Sequence, residues 1–261
     1  LNSTLINVLY SDASSRIVGG VITTIESYPF VTSLLRSNDL IEYSQFCAGT
    51  ILTENSILSS ASCMNDELPN RWRIRAGSTW ANLGGTVYYV EHIIIHPSYN
   101  WLNYDSDIAI IKPSSDIVFS STVRAGIIAG PTYQLLDNDP VISVGWGTTS
   151  VCLVPYSHFS HQLRHVVAWT INQDTCMRRY ANLGFNITDN MFCSGWLDEG
   201  GYGQCNGDGG GPLLHHGFVV GITSWGHRCA ASYYPTVNTR VSRSNDFAVW
   251  YVGAFGGEKS I

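Results

Sequence analysis

The chain has 261 residues, 44% of them hydrophobic and only 13% charged, which allows one large domain or two ordinary ones and excludes a disordered chain. Its formal net charge of −6, with no block of Lys or Arg, argues against nucleic acid or an anionic membrane as a partner, and no run approaches the ~20 apolar residues of a membrane-spanning helix. Gly (25), Trp (8) and Tyr (14) spread over short apolar runs point to an all-β protein.

Residues 1–16 are polar, lack Gly and Pro, and end at Arg16, which reads as a pro-segment or arm. The chain opens at Leu1 with neither a basic nor an apolar leader region, so a signal peptide is expected to be already absent from this numbering. From Ile17 onward, β-prone runs alternate with turn signals. The predicted strands are Val31–Leu35, Ala48–Leu52, Val87–Ile95, Ile108–Lys112, Val141–Val144, Leu163–Trp169, Phe218–Ser224 and Thr236–Val241. Such spacing fits a sandwich or a barrel and not βαβ units. A helix is predicted over Asn245–Ala254, capped by Ser244, with Phe247, Trp250 and Tyr251 at helical spacing.

Seven cysteines occur, none in a C-x-x-C pair, so zinc ribbons and thioredoxin-type redox sites find no support. Two sequons begin at Asn2 and Asn186 and are glycosylation acceptors in a secreted chain. An oxidising compartment is expected, with three disulfides and one Cys left over. Arg far outnumbers Lys (only Lys112 and Lys259 are present), and Arg keeps its charge above the pH of about 10 at which Lys begins to lose it. That bias suits an alkaline medium.

Four segments, in order along the chain, resemble the chymotrypsin-like (trypsin family) serine proteases. Arg16-Ile17-Val18-Gly19-Gly20 is similar to the activation junction, and Phe46-Cys47-Ala48-Gly49-Thr50 followed by Ile57 through Cys63 to the catalytic-histidine segment. Asp105-Ser106-Asp107-Ile108-Ala109-Ile110 resembles the catalytic-aspartate segment, and Cys205 through Pro212 the nucleophile loop, with Ser224-Trp225-Gly226 downstream. The look is that of digestive trypsins from moth and butterfly larvae. The resemblance implies an all-β fold of two six-stranded antiparallel β-barrels with a C-terminal helix. Its divisions are a pro-segment over 1–16, an N-terminal barrel over 17–126, and a C-terminal barrel plus helix over 127–261. It also implies the disulfide pairs Cys47 with Cys63, Cys176 with Cys193 and Cys205 with Cys229, which leaves Cys152 unpaired; a disulfide-linked dimer, a small thiol adduct and simple burial are the alternatives for it.

In the family, a Ser hydroxyl attacks, a His takes its proton, and a buried Asp orients the His. At the matching positions this chain has Ser62 for His and Gly209 for Ser, and only Asp107 is retained. Glycine offers no nucleophilic atom and a serine hydroxyl is no base near neutral pH. The expectation is a secreted, non-catalytic homologue, not an enzyme, that acts by binding an unidentified protein or ligand in gut fluid or haemolymph. A residual hydrolase with a non-standard site, and a storage or assembly protein, are the alternatives. Gly207 and Gly209 are the expected oxyanion-hole-like pair. The side-chain pocket is expected at Gly203, Gly226 and Thr236, narrowed by Thr236 and Arg228 and without the acidic floor of trypsins. Arg16, Ile17 and Asp208 form the expected activation switch, in its uncleaved, zymogen-like state.

No cofactor and no metal is expected. His158, His161 and His165 form H-x₂-H-x₃-H, but a loop and a strand need not bring them together, and no acidic or Cys ligand joins them. His92 and His96 approach Asp107 along the chain without an assigned duty, His215-His216-Gly217 reads as a hairpin tip, and Trp80, Trp146, Trp169 and Trp225 read as core or cleft-wall residues.

Overall fold

A computed structural model describes residues 18–64, 67–148, 160–244 and 246–248. The first barrel is closed by β2 (Val31–Arg36), β3 (Ser44–Thr53), β4 (Ser56–Ser59), β5 (Trp72–Ala76), β6 (Thr86–Ile95) and β7 (Ala109–Pro113), in the order β2-β3-β4-β7-β6-β5; the short β1 (Val21–Ile22) precedes it. Its interior follows from alternation. In β5, Trp72, Ile74 and Ala76 are buried while Arg73 and Arg75 face outward, the period-2 pattern of a half-buried strand. Leu34, Ile51, Ile57 and Ile111 complete that core.

The second barrel is closed by β9 (Pro140–Gly145), β10 (Arg164–Ile171), β11 (Met191–Gly195), β12 (Pro212–His215), β13 (Phe218–Trp225) and β14 (Thr236–Arg240), preceded by the short β8 (Ile127–Ile128), which pairs with β13. β1 pairs with β10, Val21 opposite His165, so the start of the described chain is strapped to this second barrel. Val141, Ala168, Phe192, Leu213 and Val220 fill its interior. A third cluster, including Val31, Leu58 and Ile108 from one barrel and Val144, Trp146 and Leu214 from the other, seals the two together. The expected architecture of two closed six-stranded antiparallel barrels is therefore the one observed.

Helices are few. Ala61–Met64 (α1) follows β4 directly, and Gln173–Ala181 (α2) lies between β10 and β11. The latter was not predicted, although its signals are ordinary ones. Asn172 caps it by accepting the Thr175 N–H at 3.1 Å, Asp174 lies in the first turn, Arg178 and Arg179 lie in the last, and Cys176 and Tyr180 bury one face. Most of the predicted Asn245–Ala254 helix lies outside the described residues; Asp246–Ala248 are helical, and the Ala248 N–H donates to the Ser244 carbonyl at 3.2 Å.

Candidate active site

Asp107 lies just before β7 and is fully buried, at 0% exposure. Its carboxylate accepts the backbone N–H of Ser62 at 2.6 Å, the Ser62 hydroxyl at 2.8 Å, and the Ser224 hydroxyl. Burial pushes this carboxyl above its ordinary range, and the hydrogen bonds from Ser224 and Ser62 pull the other way. α1 places Ser62 by continuing β4, and the Cys47–Cys63 disulfide ties the next residue back to β3. Ser224 comes from the end of β13, so both barrels contribute to one carboxylate.

The loop over Cys205–Gly211 is anchored by the Cys205–Cys229 disulfide and by its own turn, in which the Asp208 N–H donates to the Cys205 carbonyl at 3.0 Å. It is stitched to β3 as well: the Ala48 N–H donates to the Gly209 carbonyl at 2.8 Å, and Gln45 Nε2 to the Gly207 carbonyl at 2.7 Å. Gly207 has φ +95°, a conformation that only glycine adopts readily. Neither the Gly207 nor the Gly209 N–H donates to another described residue, so both remain as hydrogen-bond donors beside the cleft. Gly209 carries no side chain, and a Cβ there would lie 3.3 Å from Cys63 Sγ.

Asp208 points away from this donor pair, into the second barrel. Its two oxygens accept the Gly147 N–H at 2.7 Å and the Cys205 N–H at 3.0 Å. A Cβ at Gly145 or Gly147 would stand 2.3 or 2.2 Å from the carboxylate, so Gly145-Trp146-Gly147 is glycine-flanked because the acid packs on bare backbone. No described cation pairs with it, and burial pushes its carboxyl up to about 6. Arg16 and Ile17 lie outside the described residues, as do Asn2, His158 and Cys152.

Between the barrels runs a cavity of about 540 Å³, with Ser62, Gly207, Gly209, Trp225, Gly226 and Thr236 among its walls. The expected donor pair, two of the three triad positions (Ser62 and Gly209) and two of the three expected pocket residues thus share one space, with Asp107 buried behind Ser62. Gly203 is not part of the lining; a Cβ on it would stand 3.9 Å from Thr236 Oγ1. Thr236 and Arg228 line the cavity without closing it. Among the described residues no carboxylate lines it. Trp225 forms one side, packed by Tyr180 and Phe185 at ring-centroid distances of 4.9 and 5.1 Å.

No described histidine lines the cavity. His96 accepts the Ser98 N–H through Nδ1 at 3.1 Å and packs on Phe247, His92 sits beside Glu91, and His165 hydrogen-bonds Tyr28 Oη at 3.0 Å. His215 meets Tyr133 Oη at 2.9 Å. No group of three or more potential metal ligands occurs among the described residues. Trp146 is buried and donates from Nε1 to the Thr79 carbonyl at 3.0 Å, whereas Trp80 and Trp169 are partly exposed and Asn186 is exposed in its loop. Cys176 and Cys193 are joined beneath α2.

Paired six-stranded barrels with a buried aspartate, two free glycine N–H groups and a side-chain cavity at their junction define a chymotrypsin-like fold. The chain belongs to the trypsin family, which it matches over residues 17–248. It is 52% identical over 239 residues to trypsin CFT-1 of Choristoneura fumiferana, an alignment covering 92% of this chain and 91% of the relative. It is 49% identical to alkaline trypsin B of Manduca sexta (90% and 89% covered) and 46% identical to achelase-1 of Lonomia achelous (80% and 98% covered).

These relatives correct the expectation of a non-catalytic homologue that acts only by binding, and with it the assignment as a non-enzyme. Chains half identical over nine-tenths of the length are named trypsins. The physical reason is that replacements at 62 and 209 remove one route to hydrolysis. The buried Asp107, the free N–H pair and the cavity that a hydrolase needs are all still assembled.

Proposed function

We propose that this protein is a secreted peptidase of the digestive kind that its relatives' names suggest, hydrolysing polypeptides with water in place of a side-chain nucleophile. The observation that carries this reading is the half-buried Ser62, which lines an inter-barrel cavity beside Gly207 and Gly209 and hydrogen-bonds the fully buried Asp107 behind it. Ser62 donates its hydroxyl proton to Asp107, which leaves the lone pairs of Oγ open to accept from a water.

Water oxygen bonds to the substrate carbonyl carbon, its proton moves to Ser62 Oγ, and the Ser62 proton moves to Asp107. The carbonyl oxygen becomes an oxyanion opposite the two glycine N–H groups. The C–N bond then breaks, and the proton returns through Ser62 to the departing amine. Donors and binding alone, without a nucleophile–base pair, are worth about 10³–10⁴-fold over the uncatalysed rate, so slow turnover is expected. Secretion is supported by three disulfides, which persist in oxidising compartments, and by an exposed sequon at Asn186. No described helix is long and apolar enough to cross a membrane.

The test is incubation with an unfolded polypeptide in ¹⁸O-water, read by mass spectrometry. New carboxyl termini carrying the label, produced after fluorophosphonate treatment that silences any contaminating serine protease, support the proposal. Loss of the signal in Asp107→Asn and its reduction in Ser62→Ala are expected. Cleavage no faster than buffer alone overturns it.

A further inference from the structure

We infer that the Cys47–Cys63 disulfide is a modification site in the cleft, opened by a small anionic thiol that becomes bonded to Cys63. The absent side chain at 209 uncovers it. A Cβ on Gly209 would stand 3.3 Å from Cys63 Sγ and 3.5 Å from Cys47 Sγ, and, chain neighbours aside, no other described atom lies within 4 Å of that point. The space beside Gly209 is therefore open, and the two sulfurs face it. Gly209, Cys47 and Cys63 all belong to the wall of the inter-barrel cavity, so a solute in the cleft reaches this space. Cys63 is half-buried and its sulfur is the nearer of the two, whereas Cys47 is only 4% exposed. Attack therefore falls on Cys63. Cys176 and Cys193, by contrast, are both fully buried.

Disulfide exchange proceeds by attack of a thiolate on one sulfur, and access decides which disulfides are labile. Here the incoming sulfur bonds to Cys63 Sγ, the Cys47–Cys63 bond breaks, and its electron pair leaves on Cys47 Sγ. That thiolate takes up the proton that the incoming thiol gave to solvent. The thiol supplies the electrons, so no other reductant takes part. Arg228 is the one charged residue among those lining the cavity, and it is exposed. An anionic thiol is drawn to that wall and a cationic one is repelled. The volume, about 540 Å³, lies in the range of small-molecule pockets and accommodates such a thiol. The same disulfide ties α1 to β3, and α1 carries the Ser62 that hydrogen-bonds Asp107, so the exchange also loosens the hold on Ser62.

The experiment treats the whole native protein, any free thiol first alkylated, with mercaptopropionate, mercaptoethanol or cysteamine at equal thiolate concentration. A second alkylating reagent traps the opened sulfurs, and peptide mass mapping locates adducts. The adduct is expected on Cys63, fastest with mercaptopropionate, and at least about ten-fold faster than any opening of Cys176–Cys193. Gly209→Ala, which fills the open place, should slow it at least about ten-fold. The rate at Cys205–Cys229, which lines the same cavity, should stay unchanged in that variant. Arg228→Gln, outside α1 and β3, should narrow the spread among the three thiols, and it keeps the test open if the alanine disturbs the fold. No adduct on Cys63, an adduct formed as fast in Gly209→Ala, cysteamine as the fastest thiol, or a spread untouched in Arg228→Gln overturns the inference. No readout depends on hydrolysis, so these outcomes leave the peptidase reading as it stands.

Discussion

Ser62 gives both its backbone N–H and its hydroxyl to the carboxylate of Asp107, at 2.6 and 2.8 Å. A four-residue helix thus holds a fully buried acid that has no cationic partner among the described residues. Hydrogen bonds to an ionised group are the strong ones, and here they oppose the burial that raises the acid's pKa.

Removing one of those donors is expected to cost more than a surface change. Ser62→Ala should destabilise the fold by about 1.5–3 kcal/mol, the range for a hydrogen bond to a charged group. Urea unfolding at neutral pH measures it, and a midpoint identical to that of the parent would show that the hydroxyl contributes nothing.

Asp208 makes stability depend on pH in a defined direction. Its folded carboxyl, lifted by burial to about 6, lies above its ordinary value of 3.8. The folded chain therefore holds this proton more tightly than the unfolded chain does. The residue's contribution is most favourable below about pH 4, declines as pH rises to about 6, and stays at its unfavourable limit above that. With the Arg16–Ile17 bond intact, Asp208→Asn should remove a decline on the order of 1–3 kcal/mol between pH 4 and 7. Parallel pH profiles of urea unfolding for parent and variant would contradict this.

Rebuilding the missing groups tests the cleft from another side. The double variant Ser62→His, Gly209→Ser should raise peptide hydrolysis by about 10³-fold or more over the parent. Because a Cβ at 209 would lie 3.3 Å from Cys63 Sγ, the neighbouring disulfide must give by a few tenths of an ångström for the serine to fit. The cavity lacks a carboxylate, so cleavage after Arg or Lys should not dominate the products. Arg-specific cleavage of a mixed peptide library would refute the description of the pocket.

The cap of α2 offers a test independent of the site. Asn172→Ala removes the bond to the Thr175 N–H and should cost about 1 kcal/mol. Thermal unfolding of variant and parent side by side checks it. Asn172→Asp, which keeps the acceptor and adds charge at the helix N-terminus, should recover the loss.

Where local pattern and tertiary role coincide, the strands were legible. Val31–Leu35 became Val31–Arg36, and Val87–Ile95 became Thr86–Ile95, because β-branched residues at short spacing between turns are read the same way in isolation and in a barrel. Ser56–Ser59 and Pro212–His215 were not found. Both are four-residue strands, and both are wholly buried, so neither shows the alternation that marks a strand with one wet face. Met191–Gly195 is buried throughout for the same reason.

By itself the sequence determined the family, the two-barrel architecture and the residue identities at positions 62 and 209, since motif order and residue identity are properties of the chain alone. Only the tertiary structure decided what those positions touch. Residues 62, 107 and 224 are far apart in the chain and converge on one carboxylate because α1 continues one barrel's strand while β13 ends against it from the other. The same holds for Asp208, whose two oxygens accept the N–H groups of Gly147 and Cys205. Hydrogen-bond satisfaction is a sum over neighbours in space, and a linear sequence does not contain that sum.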